Sequence, residues 1–192
     1  MVVTHQPRGA GPASPTSLYQ RLLGPAFARL SPILQRVHDA RSTKRYVGRC
    51  EVRSGVSCMA KLIARIASLP AASSDVALEV VIDSYARTER WTRRFGDQRM
   101  QSIMSSRGPL LQERLGLTVL TFELLAEQQR IVWSLRGAHL AFVRLPIAWL
   151  LDCSASEAIV EGRYGFDVSA RVRGVGLIVH YQGWLVEDGA AA

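Results

Sequence analysis

AIVEGRYGFDVSARVRGVGLIVHYQGWL, residues 158–185, is the stretch that decides the fold class. Apolar side chains occupy alternate positions over 158–168 and again over 175–185. Successive side chains of a strand point to opposite faces, so this alternation predicts strands with one apolar face. Gly174-Val175-Gly176 lies between the two runs and predicts a flexible turn, not a nucleotide-binding loop. The stretch therefore predicts antiparallel strands joined by a short link.

The same alternation recurs along most of the chain. It is clearest in residues 46–52, 76–82, 91–95, 120–124 and 131–135. Short polar or glycine-containing links join these runs, which suits antiparallel hairpins better than helical crossovers. We therefore expect an α+β fold with a strongly curved antiparallel sheet, a half-barrel of about seven to eight strands.

Three helices are predicted, two from their capping residues and one from its apolar spacing. Ser17 can cap a helix that Gly24-Pro25 interrupts, and Ser31-Pro32 can begin a second short helix. Residues 57–69 carry apolar side chains at helical spacing and end before Pro70. We expect this amphipathic helix and the N-terminal helices to cover the sheet.

Length and composition indicate one folded unit. The chain has 192 residues, of which 48% are hydrophobic and 21% charged, and this excludes an extended disordered protein, a collagen-like fibre and a coiled coil. We expect a disordered tail over 1–16, a single domain over 17–187 and a short tail over 188–192.

The net charge of +8 is concentrated near the N-terminus. Residues 1–53 contain nine basic side chains and only two acidic ones, Asp39 and Glu51. This segment is either a solvated basic face or a surface that docks a separate oxidoreductase or an anionic membrane. Nucleic acid is not an expected partner, because Tyr46 is the only aromatic residue among the basic ones of residues 36–53.

Cysteine and histidine usage predicts neither disulfides nor a metal site. Cys50, Cys58 and Cys153 are an odd set without close spacing, which indicates a reducing compartment. The four histidines are scattered, and His180 is expected to be structural or at the surface. No apolar run approaches the ~20 residues of a membrane span, so we expect a cytoplasmic protein without a transmembrane segment.

The most unusual polar residue is an arginine in phase with two aromatic residues. Trp91, Arg93 and Phe95 share one face of a predicted strand, and the two rings favour burial of that face. A buried guanidinium needs an acidic partner, several carbonyl groups or an anionic ligand. Arg93 is therefore part of an internal Arg–Glu pair, or snorkels to the rim, or anchors an anion in a cleft.

Candidate partners of Arg93 lie on neighbouring predicted strands. Glu113 is in phase with Leu111 and Leu115, which is an inward position. Glu157, Glu161 and Arg163 share the face opposite the apolar residues of their run, and that face is either solvated or lines a cavity. Tyr181 and Trp133 complete the candidate pocket.

Several short motifs resemble the bacterial domain of unknown function numbered 4166, from about Leu18 to Leu185. The resemblance is carried by Trp91-x-Arg93-x-Phe95-Gly96, Ser102, Glu113 with Gly116, Pro146, Glu157 with Gly162-Arg163-Tyr164-x-Phe166-Asp167, and Gly176-Leu177-Ile178-Val179-x-Tyr181-x-Gly183. Members of that family stand alone or are attached to NAD(P)-binding domains similar to saccharopine dehydrogenase or to epimerases. The resemblance implies an association with oxidoreductases and no defined activity. No G-x-G-x-x-G motif or Rossmann segment is found here, so no cofactor is expected.

Three functions are compatible with these residues. The first is a non-catalytic accessory or binding domain for a small anionic or apolar ligand, with Arg93 in its pocket. The second is an enzyme that uses Glu113 or Glu157 with Arg93 and Tyr181. The third is an interaction module that docks through the basic N-terminal third, for instance to a separate NAD(P)-dependent oxidoreductase.

Overall fold

The computed structural model describes residues 16–40, 43–85, 87–127 and 129–189. The predicted disordered tail lies outside these ranges except for Thr16, and so does the predicted C-terminal tail except for Asp188 and Gly189.

The described residues form eleven antiparallel strands. These are β1 Thr43–Ser54, β2 Ser73–Ser84, β3 Thr88–Phe95, β4 Gln98–Arg107, β5 Leu110–Leu115, β6 Thr118–Glu127, β7 Arg130–Leu140, β8 Val143–Leu145, β9 Leu150–Val160, β10 Arg163–Val172 and β11 Gly176–Glu187. Strands β1 to β7 pair in chain order, β7 pairs with β9, and β11 returns to β1. The short β8 pairs only with β7, outside this ring. Ten strands therefore close into a barrel.

The closed barrel corrects the prediction of an open half-barrel of seven to eight strands in an α+β fold. Among the described residues, the pairing of β7 with both β6 and β9 closes the ring and covers the sheet edges that an open half-barrel would leave unpaired. The strand count was too low because the run over 158–168 is two strands, joined by a turn at Glu161 and Gly162. Strand β4 was also not among the predicted alternating runs, since the inward Ser102 weakens its alternation.

Short helices close one end of the barrel, which we call the plugged end. They are α1 Leu18–Leu23, a 3-10 helix Gly24–Arg29 and α2 Pro32–Val37. Ser17 and Ser31 cap α1 and α2, which confirms both predicted starts. In the β6–β7 turn, Gln129 Nε2 donates to Arg29 O at 2.6 Å. The plugged end is filled by Tyr19 and Leu34, both fully buried.

Helix α3, Cys58–Ile66, lies at the opposite end, which we call the open end. Ser57, the first residue of the predicted helix, caps it, and Ser57 Oγ also donates to Val175 O in the β10–β11 turn at 3.3 Å. The helix was expected to cover the sheet, and this is wrong because the sheet closes on itself. Met59 and Leu62 on its apolar side remain about half exposed, at 54% and 52%. A second 3-10 helix, Ile147–Trp149, lies at the same end, after β8.

Strands β1 and β11 approach closely at two glycines. A Cβ atom on Gly48 would lie 1.9 Å from Trp184 O, and one on Gly183 would lie 2.2 Å from Arg49 O. Both obstacles are backbone atoms, which cannot rotate out of the way. The close approach of β1 and β11, and with it the curvature of the barrel here, therefore requires residues without side chains.

We expect Gly48→Ala to lower the free energy of unfolding by about 1–3 kcal/mol, since the new methyl group has no room. Gly137→Ala is the matched control, because its Cβ would meet Thr121 Cβ at an ordinary 3.7 Å. Urea denaturation of both variants tests this. Equal stability of the two variants would contradict the close approach of the strands.

Candidate functional site

The interior of the barrel holds a cavity of about 620 Å³, with a lining that extends from Trp149 at the open end to Glu157 near the plugged end. Most of its wall is apolar and includes Leu115, Phe122, Phe166 and Ile178. At the open end its lining includes Ile63 of α3 and Trp149 of the 3-10 helix Ile147–Trp149. The cavity therefore runs inward from the open end, with α3 on one side of its mouth.

The other end of the cavity is lined by polar and aromatic side chains from six strands. We call these residues the floor cluster: Trp91, Arg93, Glu113, Trp133, Glu157, Tyr164 and Tyr181. Each of them is at most 9% exposed. The floor cluster lies between the apolar cavity and the helices of the plugged end.

Arg93 points into the barrel, as predicted. Its Nη1 donates to Ser102 Oγ at 2.9 Å and lies 3.5 Å from Glu113 Oε1, while its guanidinium carbon lies 5.0 Å from the Trp91 ring centroid. Burial by itself lowers the pKa of Arg93, but the neighbouring Tyr181 and Glu113 outweigh it and leave that pKa raised. The guanidinium is therefore charged.

Arg93 has donor capacity to spare. A guanidinium carries five N–H donors, and among the described residues Ser102 Oγ is its only hydrogen-bond acceptor. Because Arg93 lines the cavity, its remaining N–H groups are within reach of a molecule inside the barrel.

Glu157 joins the floor cluster to the plugged end. Its Oε2 lies 2.5 Å from Nε2 of His38, and its Oε1 accepts from Trp133 Nε1 at 3.1 Å. His38 is fully buried and stacks on Tyr19 with ring centroids 3.6 Å apart. The carboxylate therefore has partners on both oxygens, one from α2's C-terminal end and one from the barrel wall.

Arg163 is not in the cavity, although the sequence pattern grouped it with Glu157. Residues 161 and 162 form a two-residue turn, so Val160 pairs with Arg163 and the inward phase changes from odd to even positions. Arg163 lies outside the barrel, with its guanidinium carbon 4.1 Å from the Trp184 ring centroid, and it pairs with the exposed Glu161.

The other predicted residues lie in or beside the cavity. Trp91, Trp133 and Tyr181 line it, whereas Phe95 is buried next to Tyr181 with ring centroids 5.6 Å apart and does not line it. Burial raises the pKa of Tyr181 to about 12, although the Arg93 charge opposes this shift. Burial and the nearby Glu157 also raise the pKa of Tyr164. Both tyrosines are therefore neutral hydroxyl groups near the floor.

Three buried charged or titratable residues were missed by the sequence analysis: His38, Lys44 and Glu89. Glu89 is 1% exposed, its Oε2 accepts from Trp91 Nε1 at 2.9 Å, and burial raises its pKa. Its position two residues before Trp91, in the same strand phase, was a usable signal. Lys44 Nζ donates to the carbonyl groups of Val37 and Asp39, at 2.8 and 2.7 Å. No local pattern indicated His38.

His180, which was expected to be structural or at the surface, lies on the outer side of β11. Its Nε2 is 3.0 Å from Asp167 Oδ1. Within the described part of the chain, no three histidine, cysteine or acidic side chains are grouped as a metal site would require. The candidate site is therefore the floor cluster and the cavity above it.

The basic N-terminal third is partly neutralised on the barrel wall. Arg45, Arg49 and Arg53 each form an ion pair with an acidic side chain. Of the helices in the described ranges, none combines the length and the apolar character needed to cross a bilayer. A cytoplasmic location stays a prediction.

Fold and site together define a closed antiparallel barrel with an internal apolar cavity and a polar floor. The chain belongs to the family described as domain of unknown function (DUF4166), whose profile matches residues 30–185. The resemblance seen in the sequence is thereby confirmed, while attachment to an oxidoreductase stays a prediction. No curated protein matches the chain.

Proposed function

We propose that this protein binds one elongated apolar molecule inside the barrel, without converting it. The observation that carries the proposal is an apolar cavity of about 620 Å³ that ends at a charged arginine with unused donors. Cavities of this size and character are typical of small-molecule sites, in which a few polar groups orient the ligand. The apolar part would fill the barrel and a polar head group would reach Arg93.

The charges of the floor favour a neutral head group over a carboxylate. Arg93 already has the Glu113 carboxylate at 3.5 Å, so the pair carries no net charge. An anionic head group would place a second carboxylate beside one guanidinium in a buried site, which is costly. A carbonyl or hydroxyl oxygen can accept from Arg93 without adding charge. The ligand class is therefore a lipid-like molecule with one neutral oxygen-containing end.

An enzyme remains the second candidate, because Glu113, Glu157, Arg93 and Tyr181 share one floor. Glu157 is held by both His38 and Trp133, and the pKa of Tyr181, at about 12, lies far above neutral pH. Groups held in this way suit orientation of a ligand better than proton transfer near neutral pH. Recovery of a bound lipid unchanged after incubation would favour binding, and recovery of a converted product would favour the enzyme.

The binding test uses hexadecan-1-ol, hexadecanoate and hexadecane as probes, followed by the fluorescence of the cavity residues Trp91 and Trp133. We expect saturable binding of one alcohol per chain, about tenfold tighter than binding of hexadecanoate, which corresponds to roughly 1.4 kcal/mol. Glu113→Gln leaves Arg93 without its acidic partner and should reverse that order. A native preference for hexadecanoate would contradict the head-group argument.

A blocked variant tests whether the ligand lies inside the barrel. Ala170 lines the cavity, so Ala170→Trp should fill part of it and abolish binding of all three probes. Arg171→Trp on the outer face of β10 is the matched control and should bind as the native chain does. No saturable binding by the native chain, or unchanged binding by Ala170→Trp, would overturn the proposed function.

A further inference from the structure

Exposed apolar side chains are concentrated at the open end of the barrel. Of the fifteen large apolar residues that are exposed in the described ranges, eleven lie at this end. We call these eleven the apolar rim: Val56, Met59, Leu62, Ile66, Leu117, Leu140, Phe142, Val143, Ile147, Trp149 and Leu151. Single exposed apolar residues are ordinary, whereas a contiguous group marks an interaction surface.

The apolar rim surrounds the mouth of the cavity. Phe142, in the β7–β8 turn, is fully exposed, and Trp149 is 56% exposed. The β7–β8 turn is tied to the β5–β6 turn by a hydrogen bond from Ala141 N to Leu117 O at 2.7 Å. Ile66 and Trp149 belong both to the rim and to the cavity lining, so the two apolar surfaces are continuous.

Basic side chains without ion-pair partners stand among the rim residues. Lys61, Arg65, Arg144 and Arg173 are exposed, and none of them forms an ion pair with any described residue. On the barrel wall, by contrast, the N-terminal arginines are paired with acids. The open end also carries two exposed acidic residues, Asp97 in the β3–β4 turn and Asp152 next to Leu151. The rim therefore carries a net positive charge with apolar side chains between the charges.

This combination fits a lipid surface better than a protein. Interfacial helices place apolar residues against the acyl boundary and basic residues against the head groups, and α3 has both, in Met59 and Leu62 and in Lys61 and Arg65. We propose that the open end docks on the surface of an anionic lipid bilayer, with the mouth of the cavity facing the bilayer. Docking does not depend on the proposed ligand, but it would let an apolar molecule enter the barrel without crossing water.

Vesicle co-sedimentation tests the docking surface. The native chain should bind vesicles of phosphatidylcholine with phosphatidylserine at least about tenfold more tightly than vesicles of phosphatidylcholine alone, and added salt should weaken this binding. Two double variants separate the contribution of the apolar side chains from that of the positive charges. Phe142→Ser with Trp149→Ser removes apolar contacts, and Lys61→Glu with Arg144→Glu reverses charge, and each should weaken binding about tenfold or more.

The matched control lies at the plugged end. Tyr85→Ser with Arg107→Glu changes one exposed aromatic and one exposed basic residue there, and it should leave vesicle binding unchanged. All these positions are at the surface, so each variant should melt at a temperature close to that of the native chain. A loss of vesicle binding could then not be attributed to unfolding. Equal binding of the native chain to both vesicle types would overturn the proposal. So would a loss of vesicle binding in the control variant as large as the loss in the rim variants.

Two further measurements separate this proposal from its competitors. Ala170 lines the cavity and is not one of the rim residues, so Ala170→Trp should lose the ligand and still bind vesicles. If the native chain binds the alcohol but no vesicles, docking is overturned and the proposed function stands. A concentration-dependent dimer that Phe142→Ser abolishes, in a chain that binds no vesicles, would assign the rim to a second copy of this chain and overturn the proposal.

Discussion

Replacing Glu157 by alanine is expected to lower the free energy of unfolding by about 3–5 kcal/mol, because two buried nitrogen atoms would each lose a hydrogen-bond partner, at a cost of roughly 1–3 kcal/mol apiece. The carboxylate lies 2.5 Å from His38 Nε2 and accepts from Trp133 Nε1. Alanine would leave both nitrogen atoms buried without an acceptor. His38 Nδ1 has no hydrogen-bond partner among the described residues, so the loss of Glu157 would remove the hydrogen bond of the other ring nitrogen as well.

Chemical denaturation of Glu157→Ala and Glu161→Ala provides the comparison. Glu161 belongs to the same hairpin but its side chain is 75% exposed, so its loss should change stability by no more than about 0.5 kcal/mol. Glu157→Gln keeps an oxygen that can accept from Trp133 Nε1. Its free energy of unfolding should therefore lie between those of Glu157→Ala and Glu161→Ala. A Glu157→Ala variant as stable as Glu161→Ala would show that the carboxylate does not join the plugged end to the barrel.

Trp91→Ala and Trp133→Ala are each expected to lower the free energy of unfolding by about 3–5 kcal/mol, as loss of a large buried ring usually does. The two indoles are 4% and 5% exposed, and each donates its N–H to a buried glutamate. Trp133 also packs against Phe122 with ring centroids 5.4 Å apart. A loss of this size is a large share of the stability of a typical domain.

Trp149→Ala is the matched control for both variants. Its ring is 56% exposed on the apolar rim, so its removal should alter stability only slightly. Thermal melting and urea denaturation of the three variants would distinguish them. Native-like melting of Trp91→Ala would mean that the inward face of β3 has been assigned to the wrong residues.

The inward position of Arg93 could be predicted because strand phase is a local property. Odd positions of β3 carry Glu89, Trp91, Arg93 and Phe95, and all four are buried. Helix starts were equally predictable, since Ser17, Ser31 and Ser57 cap the backbone of residues that follow them directly. Such signals depend only on neighbours in the chain.

Arg163 shows where this reasoning fails. Strand phase carries across an uninterrupted strand, but a two-residue turn reverses it, and Glu161-Gly162 was not distinguished from strand sequence. The sequence analysis did not predict that the sheet closes, for a related reason. Whether β7 pairs with both β6 and β9 depends on how far ten strands curve together, and alternation within one strand contains no information about that.

The amino-acid sequence alone determined most of the strands, the inward face of β3, the starts of the helices and the family. Only the tertiary structure decided that the sheet closes, that the floor cluster meets at the base of one cavity, and that α3 and the apolar rim surround its mouth. The physical reason is chain distance: His38 and Glu157 are separated by 119 positions, and only the closed barrel brings their side chains within hydrogen-bonding distance.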